Sequence, residues 1–366
     1  MNKFVLRQSL LLLLTAAIWG VAFVAQSVGM DYVQPFTFNA VRNVIGGAVL
    51  LPVIFFLDGQ KAHRGKTKTA YLSSDPAKQS DTQTVAQADM QTCKQTEAQT
   101  SMQTIAQTDM QTKAQTGKQT ETQSESSTEL GVSSAFATKD LLAGGFSCGV
   151  ILFLASSLQQ FGIQYTSVGK AGFITAMYIV LVPIFGIFLH KKTGLRVWIA
   201  VAMAVAGLYL LCMTGDSLAL NRGDALVLLC AVAFTFHILV IDHFSSRVDG
   251  VKMSCIQFFT CGLLSAIGML LFETPQISQI LAAWMPILYA GVMSCGVAYT
   301  LQIVGQRGMN PTVASLILSL ESVISLLSGW VILHQSLSGR ELAGCLIMFA
   351  AIILVQLPGG QKEVHA

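Results

Sequence analysis

The chain has 366 residues, of which 53% are hydrophobic and only 11% are charged. Soluble domains carry about 25% charged residues, so this composition excludes an ordinary soluble protein and indicates one that lies largely in a membrane. The formal net charge is only +3, and no dense basic patch with interleaved aromatic residues occurs, which argues against nucleic acid as a ligand. The eight cysteines form no CxxC pair, so we expect buried thiols and neither a metal site nor a disulfide framework.

Apolar runs of roughly 17–25 residues, the length at which a helix crosses a bilayer, recur along the chain. The first run follows Lys3 and Arg7 as in a signal peptide, but its full spanning length and the later runs favour a retained helix. Lipid offers no partner for a free backbone N–H or C=O, and the runs show no strict alternation, so we predict helices. The predicted fold is all-α integral membrane, with ten transmembrane helices at residues 5–27, 36–57, 141–163, 171–189, 195–213, 223–241, 252–272, 284–303, 311–333 and 339–357.

The orientation follows from the lysines and arginines between these helices, because cytoplasmic loops carry the excess of positive charge. With the N-terminus in the cytoplasm, the outer loops hold only Lys170, Arg222 and Arg340. We therefore predict a multi-pass protein of the inner cell membrane with both termini cytoplasmic. The predicted inner side holds Lys3, Arg7, Lys61, Arg64, Lys66, Lys68, Lys191, Lys192, Arg196, Arg247, Lys252, Arg307 and Lys362.

A polar segment at residues 58–140 separates the second and third predicted helices. From Gln91 to Thr120 the pair Gln-Thr returns every fourth residue, and no aromatic residue lies between Tyr71 and Phe136. The segment cannot bury enough apolar surface to offset its chain entropy, so we predict a disordered, low-complexity cytoplasmic loop. A binding role for the repeat is the alternative.

An internal duplication appears when the chain is shifted by 143 residues. LQQFGIQYTSVGKAGFI from Leu158 then falls on LQIVGQRGMNPTVASLI from Leu301, which pairs helices three and four with helices eight and nine. Each half has five helices, so the second half must be inserted upside down, and inverted repeats are typical of transporters. We predict a first half at residues 1–57 and 141–213, a second half at 223–357 and a cytoplasmic tail at 358–366.

Glu321 is the sharpest candidate for a functional residue. It lies near the middle of the ninth predicted helix, where a charge costs roughly 2.5–3.5 kcal/mol on insertion scales. On a helical wheel it shares a face with Ser325, opposite an entirely apolar side. We predict that both residues line a cavity. Burial of an unpaired carboxylate favours its protonated form, so Glu321 is also the candidate for proton coupling. A structural acid that bonds neighbouring helices is the alternative.

Polar side chains in other predicted helices add candidates. Arg42 lies about two turns from the outer end of helix two, where it can extend outward, bind an anionic group or pair with Glu321. Gln159, Gln160 and Gln302 lie at equivalent or adjacent positions of the duplication. They are candidates for hydrogen bonds to a substrate, and bonds between helices would explain them equally well.

Aromatic residues complete the predicted cavity. Trp19, Tyr178 and Tyr299 are the candidates for an apolar, aromatic wall, and Tyr178 falls on Glu321 under the 143-residue shift. Pro183, within the fourth predicted helix, frees a backbone carbonyl and predicts a kink there. His237, alone near the inner end of helix six, is expected to be a packed residue.

Several stretches resemble the EamA-like branch of the drug/metabolite transporter superfamily: TAAIWGVAFVAQSV, FNAVRNVIGGAVLLPVIF, FITAMYIVLVPIFGIFLHKK and the run from NPTVASLILSLESV onward. Trp19, Gly20, Arg42 and Glu321 match positions of that family. The resemblance implies ten helices in two inverted EamA repeats that move small organic metabolites such as amino acids, often outward. This chain departs from the pattern at Ser322, where the family commonly has proline, at His334-Gln335, where it has Gly-Glu, and in its long loop.

No GxSxG, HExxH or Walker motif occurs, so we predict no enzyme, no cofactor and no ATP hydrolysis by this chain. The predicted function is a secondary-active permease that exports small organic metabolites by alternating access. Its expected partners are a small-molecule substrate, membrane lipid and a proton gradient, as a monomer or homodimer. The alternatives are a membrane sensor or scaffold that uses the Gln/Thr-rich loop, and a sugar-nucleotide or lipid-linked carrier, which a strongly basic cavity would favour.

Overall fold

The computed structural model describes residues 3–73, 125–166, 168–189, 193–212, 221–333 and 338–356, and every regular element in those ranges is a helix. In chain order the helices are α1 (Lys3–Gly29), α2 (Pro35–Ser73), α3 (Glu125–Ile163), α4 (Val168–Ala176), α5 (Tyr178–Phe188), α6 (Leu195–Cys212), α7 (Arg222–Phe244), α8 (Gly250–Phe272), α9 (Ile277–Ala282), α10 (Trp284–Leu288), α11 (Thr300–Gln306), α12 (Pro311–Leu318), α13 (Glu321–Leu333) and α14 (Gly339–Gln356). A π-helical segment, Tyr289–Tyr299, joins α10 to α11.

The chain divides into two compact units. The first contains residues 1–52 and 134–366, and it holds most of the helices. The second, Val53–Ser133, contains the last part of α2 and the start of α3. Both helices thus extend into the polar segment predicted at 58–140. Residues 74–124, which include the Gln-Thr repeat, lie outside the described residues.

Eight of the ten predicted spans are confirmed, within the described residues, as helices long and apolar enough to cross a membrane. The predicted spans at 195–213 and 339–357 fall on α6 and α14, whose apolar stretches are shorter. Large apolar side chains point outward from these helices, among them Phe146, Phe188, Leu195 and Leu270, each at least 60% exposed. Outward apolar surface on this scale suits contact with lipid. The chain is a multi-pass membrane protein.

Helices α6 and α14 pack closely against one another. A Cβ atom placed on Gly207 would lie 2.9 Å from the Gly344 carbonyl oxygen and 2.9 Å from Cγ of Met348. Small residues let two backbones approach this closely, which is how helices associate where lipid removes the hydrophobic driving force. The two shorter helices are therefore held together through their backbones.

At one end of the bundle, here called the Glu273 end, the carboxylate of Glu273 caps the start of α2. The Glu273 side chain, just after α8, accepts hydrogen bonds of 2.7 Å from the backbone N–H groups of Phe36 and Thr37, the first free donors of α2. Phe36 also packs on Phe161 near the end of α3, with ring centroids 5.1 Å apart. This end therefore gathers the end of α1, the start of α2 and the ends of α3 and α8.

The opposite end, here called the Gln8 end, joins the start of α1 to the end of α11. Gln8 Nε2 donates to the carbonyl oxygens of Val304 and Arg307, at 3.0 and 2.9 Å. Asn310 then caps α12, its side chain accepting from the backbone N–H of Thr312 at 2.9 Å. Side chains thus bond two carbonyl oxygens at the end of α11 and one N–H at the start of α12.

The contact between α6 and α14 makes a stability prediction. In Gly207→Ala, the added methyl group meets backbone atoms that cannot rotate away, so we expect overpacking to lower the free energy of unfolding by about 1–3 kcal/mol. Thermal unfolding of the purified protein in detergent measures this. Gly172→Ala is the matched control, because its Cβ would meet only Ser322 Oγ, at 3.8 Å. Equal melting temperatures for the two variants would contradict the close contact.

Candidate functional site

A cavity with about 470 Å³ of non-atom space, open solvent included, lies within the first unit. Its walls come from α1, α2, α3, α4, α5, α7, α11, α12, α13 and the π-helical segment. The walls contain aromatic and aliphatic side chains, amides and hydroxyls, together with one arginine and one glutamate. The fourteen lining residues are Trp19, Phe23, Gln26, Arg42, Gln159, Thr175, Tyr178, Phe234, Ile238, Ser294, Tyr299, Gln302, Leu318 and Glu321.

The cavity brings together seven of the nine residues that the sequence predicted for a site. Gln160 and Ser325 are buried but do not line it. Gln160 Nε2 instead donates to the backbone carbonyl oxygen of Gln26 at 3.3 Å, a bond between helices. Ser325 lies one turn beyond Glu321 on α13. The seven residues in the wall are Trp19, Arg42, Gln159, Tyr178, Tyr299, Gln302 and Glu321.

Seven of the lining residues were not predicted from the sequence. Phe23 and Gln26 lie four and seven residues after Trp19 on α1, so the helical period would have placed them on the face of Trp19. The others lie in runs whose composition is uniformly apolar or small, where no single residue stands out. The missed residues are Phe23, Gln26, Thr175, Phe234, Ile238, Ser294 and Leu318.

Two of the predicted membrane helices are broken beside the cavity. The fourth is split into α4 and α5 at Met177, and the ninth into α12 and α13 at residues 319–320. At each break one N–H turns back to the carbonyl three residues earlier: Met177 to Ile174, and Leu320 to Ile317, both at 3.2 Å. Broken helices are tolerated at membrane depth where the freed backbone faces protein or a cavity. The two breaks lie 143 residues apart.

Pro183 lies inside α5, which runs from Tyr178 to Phe188. The sequence predicted a kink at this proline, and that kink stays a prediction. The interruption between α4 and α5 lies six residues earlier, at Met177.

A hydrogen bond joins the first residues of the two half-helices that follow the breaks. Tyr178 Oη, at the start of α5, donates to Glu321 Oε1, at the start of α13, over 2.9 Å, and both side chains are buried. Their separation of 143 residues equals the shift of the internal duplication. The two residues that the 143-residue shift aligns are thus in direct contact.

Four further pairs of lining residues repeat at two fixed spacings. Gln159 with Gln302, and Thr175 with Leu318, are 143 residues apart; Trp19 with Phe234, and Phe23 with Ile238, are 215 apart. Ten of the fourteen lining residues therefore form five pairs, and the glutamine pair has the same residue on both sides.

One of the options for Arg42 in the sequence was a pair with Glu321, and the structure does not show this pair. Among the residues that the structure describes, it forms no ion pair with Glu321; its guanidinium carbon lies 5.4 Å from the centre of the Phe38 ring. Arg42 Nε is buried without a hydrogen-bond partner. One cation and one carboxylate thus share a cavity without contact.

Aromatic rings form one wall of the cavity. The rings of Trp19 and Tyr299 lie 4.6 Å apart, centroid to centroid. Behind Tyr299 the His237 ring makes an edge contact at 5.9 Å, and His237 Nε2 lies 3.1 Å from Gln257 Oε1. Such contacts hold rings in place. His237 is fully buried, as expected of a packed residue.

Close packing of α1 on α13 positions Trp19 beside Glu321. A Cβ atom on Gly20 would lie 2.5 Å from Ile324 Cβ and 2.8 Å from the Glu321 carbonyl oxygen. Nearby, the Ser322 hydroxyl donates to the Gly172 carbonyl oxygen at 3.0 Å, which ties α13 to α4. Ser322, the residue that departs from the family pattern, thus links the two broken helices.

Several polar atoms of the cavity walls are buried without a partner. They include two donors, Trp19 Nε1 and Arg42 Nε, and two acceptors, Gln26 Oε1 and Gln302 Oε1. Buried polar groups in native proteins are nearly always hydrogen-bonded, so such a set indicates a place for water or a ligand. The cavity is therefore polar in specific places and apolar elsewhere, as ligand sites are.

The sequence model of the EamA-like transporter family matches residues 6–73 and 221–357. This chain belongs to the EamA-like transporter family. An uncharacterized transporter of Archaeoglobus fulgidus is 32% identical over 214 residues, which cover 58% of this chain and 68% of that protein. The Protein PecM of Dickeya dadantii is 35% identical over 69 residues, 19% of this chain and 23% of that one. A protein crystal structure shares the fold, with a TM-score of 0.63, 15% identity and 96% of each chain covered.

The bond between Tyr178 and Glu321 makes a second stability prediction. Tyr178→Phe leaves a buried carboxyl without its donor, so we expect a loss of about 1–3 kcal/mol in the free energy of unfolding. Thermal unfolding in detergent measures it, with the exposed Tyr165→Phe as control. Adding Glu321→Met should recover part of the loss, because both polar partners are then absent. A Tyr178→Phe melting temperature equal to the control would contradict the bond.

Proposed function

We propose that this EamA-family protein is a secondary-active permease that exports small organic metabolites, such as amino acids or related compounds, by alternating access. The observation that carries the proposal is the cavity whose walls are built from five pairs of repeat-equivalent positions, beside two broken helices. Transporters place substrate at the interface of inverted repeats and build the site from discontinuous helices. An enzyme would not require this symmetry, so we propose no catalytic residues and no cofactor.

The proposed architecture has ten transmembrane helices in two inverted five-helix repeats. The first repeat comprises residues 1–57 and 141–213, and the second 223–357, with a cytoplasmic loop at 58–140 and a tail at 358–366. In this arrangement α6 and α14 supply the fifth and tenth helices, and their close packing supports their equivalence. The distribution of lysine and arginine supports cytoplasmic termini in the cell membrane.

The cavity's chemistry supports a small substrate. Its walls combine aromatic and aliphatic side chains with a few polar groups, as is usual for small-molecule sites. Arg42 is the only lysine or arginine among the lining residues, whereas a nucleotide-sugar or lipid-linked carrier must compensate several phosphate charges. The composition therefore supports a small organic metabolite over that alternative.

Glu321 is the proposed coupling acid. As a carboxylate it accepts the Tyr178 hydrogen bond; once protonated, it loses the negative charge that strengthens this bond. Proton uptake would then weaken a contact between the two repeats and favour their separation. The residues proposed to bind substrate are Trp19, Arg42, Gln159, Tyr299 and Gln302. Gln160 and Ser325, which do not line the cavity, are proposed to hold these side chains in position. The unit is proposed to work as a monomer or homodimer.

Glu321→Gln tests the coupling proposal. We expect flux of the transported metabolite in membrane vesicles with an imposed pH gradient to fall at least about tenfold, because the amide keeps the acceptor oxygen but cannot exchange a proton. Asp31→Asn, the same change at an exposed position, should leave flux unchanged. Gradient-driven flux equal in Glu321→Gln and the native chain, at equal protein level, would remove Glu321 from coupling.

A variant that lacks residues 75–130 distinguishes the proposed transporter function from a sensor or scaffold function. The cavity lies in the other unit, so we expect flux within about twofold of the native chain, in line with the tolerance of long loop insertions. A vesicle assay with matched protein levels measures it. Complete loss of flux in a well-expressed, folded deletion variant would favour the scaffold function.

A further inference from the structure

We infer that Glu273 is a latch that holds the cavity closed toward the Glu273 end of the bundle. The latch consists of the Glu273 carboxylate, just after α8, and the groups that it binds at the start of α2. Release of these bonds lets the start of α2 move away from the end of α8 and admits water to the cavity from this end. The biological use of the latch rests on the proposed alternating access, and its chemistry rests on the contacts between α2 and α8.

Three hydrogen bonds form the latch. The Glu273 carboxylate accepts from the backbone N–H groups of Phe36 and Thr37 and from the Thr37 hydroxyl, each at 2.7 Å. Hydrogen bonds to a charged acceptor are roughly twice as strong as neutral ones. Thr37 and Glu273 are 236 residues apart, so the latch joins one helix from each of the two proposed repeats.

The start of α8 shows that this contact differs from an ordinary helix cap. Asp249, directly before α8, accepts from the N–H groups of Val251 and Lys252 at 3.1 and 3.4 Å, so α8 is capped by its own segment. Gln34 occupies the same place before α2 and is exposed, and α2 is capped by Glu273 instead. Separation of the two helices at the Glu273 end therefore removes the cap of α2, whereas α8 keeps its cap wherever α2 lies.

A buried amide lies next to the latch and favours its release. Asn39 lies on α2 between Thr37 and Arg42 and is fully buried. Neither amide atom of the Asn39 side chain has a hydrogen-bond partner. Buried polar groups without partners are costly, so water that reaches Asn39 stabilises an open arrangement of this end. The latch opposes this effect, which gives the Glu273 end a closed and an open state.

Close contacts farther along α2 and α8 provide a pivot for this movement. A Cβ atom on Gly262 would lie 3.2 Å from Val44 Cγ2, and one on Gly47 would lie 3.0 Å from the Phe259 ring. Small residues at such positions let helices pack through their backbones. Arg42 lies between the latch and these contacts, so movement of the start of α2 also displaces a residue of the cavity wall.

Cysteine labelling at the two ends tests the latch. In a chain whose eight native cysteines are replaced, Asn39→Cys reports access from the Glu273 end. Gln306→Cys, at the end of α11 and 1% exposed, reports access from the Gln8 end. A membrane-impermeant maleimide is added to each side of sealed vesicles. We expect Glu273→Gln to raise the labelling rate at residue 39 at least about tenfold, because a neutral amide accepts weaker hydrogen bonds, and not to raise the rate at residue 306. Thr37→Val, which removes only the hydroxyl bond, should raise the rate at residue 39 less.

A double variant distinguishes the latch from a helix cap. Gln34→Asp combined with Glu273→Gln gives α2 a cap of the kind that Asp249 gives α8, but no bond to α8. We expect it to recover most of the thermal stability lost in Glu273→Gln and to keep the raised labelling at residue 39. A return to slow labelling would show that only the cap matters and would overturn the inference. Asp31→Asn removes an exposed carboxylate near the same end and should leave labelling unchanged.

Two further results would overturn the inference. One is no rise in labelling at residue 39 in a folded Glu273→Gln variant. The other is an equal rise at residues 39 and 306, which indicates a general loosening of the bundle. Labelling requires no flux, so the expected labelling without flux refutes the transport proposal alone, and flux with unchanged labelling in Glu273→Gln refutes this inference alone.

Discussion

The rest of the structure depends on how one carboxylate is stabilised inside an apolar bundle. A charge at the centre of a membrane helix costs roughly 2.5–3.5 kcal/mol on insertion scales. Glu321 offsets part of this cost because it accepts the hydrogen bond of the Tyr178 hydroxyl. The two residues that make this bond lie directly after the interruptions at 319–320 and at Met177. The breaks, the cavity beside them and the contact between equivalent residues thus form one arrangement.

Of the five pairs of lining residues at fixed spacing, two differ in their chemistry. Tyr178 stands opposite Glu321, and Thr175 opposite Leu318, in the same cavity. Symmetric backbone geometry suits two half-helices that move alike, whereas unequal side chains suit a ligand that is itself asymmetric. Duplication followed by divergence at the cavity would reconcile symmetric motion with specific recognition.

The helices and most of the polar residues of the cavity can be predicted from the sequence. Lipid imposes a minimum length on the apolar runs, and polar residues inside those runs are conspicuous. Arg42 and Glu321 stand out for that reason. The breaks could not be predicted, because neither Met177 nor Leu320 carries a local breaking signal. The hydrogen bond between Tyr178 and Glu321 could not be predicted either. The 143-residue shift aligns the two residues, but an alignment does not show that aligned residues are in contact.

The most direct measurement of the proposed mechanism is the sidedness of the two ends of the cavity. Single cysteines at Gln159 and Gln302, in a chain whose eight native cysteines are replaced, can be labelled with a membrane-impermeant maleimide from each side of sealed vesicles. Because both residues line one cavity, alternating access predicts that each cysteine reacts from either side, and that a substrate gradient raises the rate of labelling from one side while lowering the rate from the other. Labelling from one side only, or rates from the two sides that rise together, would contradict it.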